Sequence, residues 1–164
     1  MQEFVLIYET HKELVYNLAL HYVQKVEDAE EITQDVFLKV YKQHSNFREE
    51  SSIKTWIYRI TINQCIDFLR QRKRKQQLFS FFIADKSADR QTNWFHPGFA
   101  LEQQEKVKHI FSKINKLPPQ QKTAVLLNKL EGLSIRECAI IMQTTEKAVE
   151  SLLSRAKSNL KNNL

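Results

Sequence analysis

At 164 residues and 42% hydrophobic content the chain can hold one mid-sized domain or two small ones, and no apolar run nears the roughly 18 residues of a membrane span. Two glycines and three prolines are too few for the tight turns of a β-rich protein, so an all-α fold is expected. The net charge of +6 is unevenly placed: residues 26–50 hold seven acids and three bases, residues 51–75 seven bases and one acid, which implies two different macromolecular surfaces.

In chain order, Phe4, Ile7, His11, Leu14, Leu18 and Tyr22 keep a helical period and predict a first helix over residues 3–24. A second helix is expected from Val26 to Gln43, with Asp28 at its cap and Glu31 three residues later in the pattern of a capping box. Ile32, Val36 and Val40 make its apolar row, with Phe37 and Tyr41 beside it. Glu31, Gln34, Asp35, Leu38 and Lys42 are left on the outer side. Asn46 to Ser52 reads as a polar loop carrying one aromatic, Phe47.

Ser51 to Lys75 reads as one long helix, capped by Ser51 or Ser52 and buried through Ile53, Trp56, Ile57, Ile60, Ile66 and Leu69. Arg59, Asn63 and Arg70 share a face, and Trp56 suits either a core edge or base stacking. The helix ends in five cations within six residues, Arg70 to Lys75, which fits a polyanionic partner or a solvated basic end. Periodicity fails from Gln76 to Phe99. That segment still holds six of the seventeen aromatics, too many for a free tether.

Helical spacing resumes from Leu101 to Lys116, and Pro119 opens a helix that stops at Gly132. Ser134 and Glu137 form a capping box for a short helix ending near Met142. A three-residue turn, Gln143-Thr144-Thr145, leads to a last helix with Val149, Leu152, Leu153, Ala156 and Leu160 inward. This is the spacing of a helix-turn-helix, whose second helix would read base edges, and equally that of a plain helical hairpin. The five histidines form no ligand pair and no Gly-rich phosphate loop is present, so neither a metal, a cofactor nor an enzyme is expected. Cys65 and Cys138 are expected as buried free thiols in a reducing compartment. With no signal-peptide pattern, a cytoplasmic location is expected.

As a whole the chain resembles a bacterial RNA polymerase sigma factor of the extracytoplasmic-function group. The resemblance is carried by Asp28 to Tyr41, Phe47 to Ser52, Thr55 to Ile60, Leu117-Pro118, Leu130 to Ser134, Glu137 to Ala139 and Val149 to Lys157. It implies two small helical domains, at 1–76 and 100–164, joined by a linker at 77–99. The first would bind core polymerase at the clamp of the largest subunit through Glu31, Gln34, Asp35 and Leu38. It would melt the −10 element, holding single- and double-stranded promoter DNA through Phe47, Arg48, Ser51, Ser52, Trp56, Arg59, Asn63, Arg70, Arg72 and Lys73. The second would dock on the flap of the second large subunit and read the −35 element through Thr145, Lys147, Glu150, Ser151, Ser154 and Arg155. An anti-sigma protein is a further implied partner, and no membrane insertion is implied. The chain departs from the family pattern at Gln143, Glu150 and Leu152, so the −35 sequence does not carry over. The rival reading is a stand-alone helix-turn-helix regulator, which leaves the acidic helix beside a basic one unexplained.

Overall fold

The computed structural model describes residues 2–44, 47, 52–82 and 101–162, and the described residues form helices without strands. By contacts the chain divides into two compact units, Met1–Phe47 with Ile60–Trp94, and Arg48–Arg59 with Phe95–Leu164.

In the first unit α1 (Gln2–Val23) and α2 (Val26–Gln43) are joined by two residues. Gln24 adopts a left-handed φ of 49° and ends α1, its N–H donating to the Leu20 carbonyl at 2.8 Å and its amide to the His21 carbonyl at 2.6 Å. Val15, Leu18, Ala19 and Tyr22 of α1 meet Ala29, Ile32, Val36 and Val40 of α2 in a core closed to solvent. Each such aliphatic side chain contributes about 1.5–3 kcal/mol by leaving water. Ile32→Ala, in the middle of the row, would cost about 2–5 kcal/mol. Tyr8 packs edge-on against Phe37 at 4.7 Å and Phe4 against Tyr41 at 5.1 Å, which fixes the rim of this pair.

Two expectations change here. Asp28 does not cap α2: the cap position is Lys25, without a side-chain bond, and Asp28 is the third residue of the helix, within its first turn. Its carboxylate is instead drawn to Arg72 at 2.9 Å and Lys25 at 3.7 Å, because an ion pair satisfies it better than an already started helix can. The third helix, α3 (Ile53–Phe82), also does not stop at Lys75. Nothing between Gln76 and Phe82 breaks a helix, so the backbone ladder continues although residues 76–79 are all exposed and give no buried side to keep a period. Ser52 starts this helix, its hydroxyl accepting the Thr55 N–H at 3.2 Å. Ser51, the other cap candidate, lies outside the described residues, as does most of the aromatic linker. Thr61, Ile62 and Cys65 of α3 are buried in addition to the expected Ile57.

The second unit holds α4 (Leu101–Ile114), α5 (Pro119–Val125), α6 (Ile135–Met142) and α7 (Glu146–Asn162). Pro119 opens α5 as expected. The helix does not run regularly to Leu130: Leu126–Leu130 widen into a π turn, with the Glu131 N–H reaching the Leu126 carbonyl at 3.0 Å. The wider turn keeps consecutive Leu126 and Leu127 both buried, and Gly132 at φ 69° then turns the chain toward α6. Phe111, Ile114, Leu117, Ala124, Cys138, Val149 and Ala156 complete this core. Burial pushes the Cys138 thiol up to about 11, with nearby Glu137 adding to the rise.

Candidate nucleic-acid interface

The outer face of α2 carries Glu31, Gln34 and Leu38 in solvent, with Leu38 55% exposed. Tyr41, 53% exposed, extends the same face, since it follows Leu38 by three residues and Gln34 by seven. Its aromatic type placed it beside the apolar row in the sequence; its spacing could have placed it here. Asp35 is not on this face. It is half-buried, and its carboxylate accepts the Gln64 amide of α3 at 2.8 Å, while Lys39 donates to the same Gln64. The α3 side of α2 is therefore braced by an Asp35–Gln64–Lys39 chain, and the free side is an apolar and polar strip.

On and before α3 the expected strand-binding residues are not equivalent. Phe47 is half-buried, its N–H on the His44 carbonyl at 3.1 Å; Arg48 and Ser51 lie outside the described residues. The Ser52 hydroxyl is committed to the cap and to the Thr55 hydroxyl at 2.9 Å. Trp56 is half-buried. Within the second unit Arg59 donates from Nη2 to the Ile140 carbonyl at 2.6 Å, and its Nε is buried without a hydrogen-bond partner. Next to it Tyr58 is 3% exposed and donates to Glu131 at 3.4 Å. Burial first, and the Glu131 charge second, hold its phenol far above the usual range.

Further along, Asn63 is exposed, and Arg70 is exposed with Asp67 at 3.1 Å. Such a pair contributes little in water and leaves the guanidinium exchangeable. Arg72 points the other way. Its side chain is 33% exposed against an Asp28 that is 14% exposed, so it braces α3 on α2. Lys73, Arg74 and Lys75 are exposed. A solvated, uncrossed block of cations is what a phosphate backbone requires.

In the second unit the capping box forms with both bonds. The Ser134 hydroxyl accepts the Glu137 N–H at 3.2 Å and the Glu137 carboxylate accepts the Ser134 N–H at 2.8 Å. That backbone bond first, and the Ser134 hydroxyl second, hold the Glu137 carboxyl below its usual range. Gln143 closes α6 at φ 54°, ψ 48°, a left-handed position occupied without glycine. Thr145 then starts α7, its hydroxyl accepting the Ala148 N–H at 3.2 Å, so it acts as a cap. Lys147, Glu150, Ser154 and Arg155 are exposed and Ser151 half-buried, all on one side of α7. Ser151 and Arg155 also border an open depression of about 220 Å³ with Gln120, Thr144 and Leu152. Gln120 had no sequence signal, because only the packing of α5 against α7 brings it there.

Residues 7–75 match the family description Sigma-70 region 2, and residues 110–160 match Sigma-70, region 4. An ECF RNA polymerase sigma-E factor of Haemophilus influenzae is 28% identical over 98% of this chain and 87% of its own length. An RNA polymerase sigma-H factor of Pseudomonas aeruginosa is 29% identical over 94% and 82%. The sigma factor RpoE of Bartonella quintana, solved with the anti-sigma factor NepR, superposes with a TM-score of 0.73 at 23% identity, covering 99% of this chain and 96% of that one. CnrH, solved with the cytosolic domain of CnrY, gives 0.69 at 19% identity over 98% and 86%. Two regions of one family, met in order along one chain and the second on a capped helix-turn-helix, place this chain in the sigma-70 family of RNA polymerase sigma factors, in its extracytoplasmic-function group.

Proposed function

We propose that this protein binds core RNA polymerase and directs it to promoters, supporting −10 melting and transcription initiation. The observation that carries this reading is the pairing of the two regions on one chain, with a solvent-facing α2 strip followed by a cationic α3 in the first and a helix-turn-helix in the second. A stand-alone regulator would need only the latter. The protein is a non-catalytic initiation factor, working in the cytoplasm.

Residues 1–76 form the polymerase-binding and melting domain, 77–99 the linker and 100–164 the −35 domain. Glu31, Gln34 and Leu38, with Tyr41, meet the clamp of the largest subunit, and Asp35 acts through its brace on Gln64. Trp56, Arg59, Asn63, Arg70 and Lys73 follow the promoter strands. Lys147, Glu150, Ser151, Ser154 and Arg155 face the −35 major groove, and the second domain docks on the flap of the second large subunit. Arg59 reaches DNA only once its bond to the Ile140 carbonyl is exchanged; its unpartnered Nε favours that exchange, since a phosphate satisfies both nitrogens. An anti-sigma protein is a fitting further partner, as in the two superposed structures.

The test is core binding by the purified chain, followed by transcription with core polymerase on fragmented genomic DNA. Start sites sharing −10 and −35 elements are expected. Leu38→Asp is expected to stay folded and to weaken core binding at least tenfold, as a charge placed in an apolar contact does. A wild-type chain that leaves core transcription unchanged refutes the proposal.

A further inference from the structure

Residues 53–59 of α3 belong to the second unit, with the helix-turn-helix and not with the rest of their own helix. Their side chains are spent on α6 and on the turn before it. The Tyr58 hydroxyl donates to the Glu131 carboxylate at 3.4 Å, and Arg59 Nη2 donates to the Ile140 carbonyl at 2.6 Å. Glu137, whose carboxyl is held low first by its Ser134 bonds, also feels the charge of the exposed Lys54. Ile57 and Tyr58 are buried in this contact's unit. Such an arrangement cannot persist on a promoter. The −10 and −35 elements lie roughly 25 base pairs apart, which at about 3.4 Å per step is about 85 Å of duplex. A unit in which α3 and α6 are joined by direct hydrogen bonds cannot serve both elements at once.

We propose that the contact of Tyr58 and Arg59 with Glu131 and Ile140 is an autoinhibitory latch: α6 covers the strand-binding start of α3 in the free chain, and core polymerase opens it. The inference rests on the promoter-directing reading and adds the regulation of that same site. Glu31, Gln34 and Leu38 take no part in the latch, so core can engage α2 while the chain is still closed. The latch is also built to release. One of its bonds is long, and the other leaves Arg59 Nε buried without a hydrogen-bond partner, a cost that opening removes. While only a fraction of the free chain is open, its apparent affinity for promoter DNA is reduced by that fraction.

The test measures binding to one promoter found by the transcription assay, first by the full chain alone and then by holoenzyme. Tyr58→Phe keeps the ring and removes the bond to Glu131; Glu131→Lys sets a cation beside Lys54 and Arg59. Neither residue is among those that follow the promoter strands. The free wild-type chain is expected to bind weakly. Free Tyr58→Phe should bind about threefold to tenfold more tightly, and free Glu131→Lys more than about tenfold, as lost and reversed polar contacts do. In holoenzyme both variants should be indistinguishable from wild type, because core has already opened the latch; that equality also shows that the variants are folded. Free variants no tighter than free wild type overturn the inference, as does a gain of the same size in holoenzyme, which would place the change on the DNA contact itself. A wild-type holoenzyme that does not select promoters overturns instead the reading beneath it, and the inference with it.

Discussion

Arg72 was expected on DNA and stands against Asp28, which gives a prediction with two independent readouts. Removing its guanidinium leaves a carboxylate that is 14% exposed with Lys25, at 3.7 Å, as its remaining cation among the described residues. Exposed pairs contribute about 0.2–1 kcal/mol. Stripping one partner from a fully buried pair costs about 3–5 kcal/mol. With Arg72 33% exposed and Lys25 as a substitute cation, the pair belongs between these limits, at about 1–2 kcal/mol. Arg72→Ala, Asp28→Asn and the double variant should show that coupling by urea denaturation of the isolated chain, as residues in direct contact do. Lys73→Ala should leave the denaturation curve in place and instead reduce the salt slope of holoenzyme on promoter DNA by about 0.9. A coupling below about 0.3 kcal/mol, or a salt slope lowered as much by Arg72→Ala as by Lys73→Ala, would refute the division of the basic run into one brace and several phosphate ligands.

Two left-handed positions of the second unit make a reciprocal pair. Gly132→Ala meets no atom within 4 Å yet should cost about 1 kcal/mol through its φ of 69°, while Gln143→Gly should gain up to about 1 kcal/mol by relieving a φ of 54°; thermal melts decide both. Glu137 contributes stability above the usual carboxylate pKa that is lost as pH falls through its lowered folded value. Glu137→Gln should therefore flatten the acid limb of the stability profile measured from pH 7 down to pH 3. Lys147→Ala or Ser151→Ala should shift which −35 sequences win in transcription from a randomised library while leaving most of the salt dependence intact; an unchanged preference in both would remove α7 from the groove.

The local devices were legible because they are written within a few residues of one another. Ser134 and Glu137 signal a helix start, Pro119 another, and Gly132 a stop, and each stands where its chemistry demands. What was not legible depends on partners far along the chain. Asp28 looks like a cap until Arg72, 44 residues on, takes its carboxylate; Asp35 looks free until Gln64, 29 residues on, reaches it. The end of α3 escaped for a different reason. Periodicity records burial, and residues 73–79 are all exposed, so a helix lacking a buried side leaves no period to read. The π turn is likewise silent, because Leu126 and Leu127 fit an ordinary apolar helix and only the core shows that both must point inward.

The sealed thiols have a practical consequence. Cys65 has no exposed surface, and Cys138, its thiol pushed up to about 11 by burial and its sulfur on the Leu133 carbonyl at 3.8 Å, is held as the unreactive thiol at pH 7. Alkylating reagents and mild oxidants should pass the folded chain by. One new cysteine on the surface, such as Asn63→Cys, would then take a maleimide dye alone, with both native sulfurs left in place, and report by fluorescence when a promoter strand reaches α3.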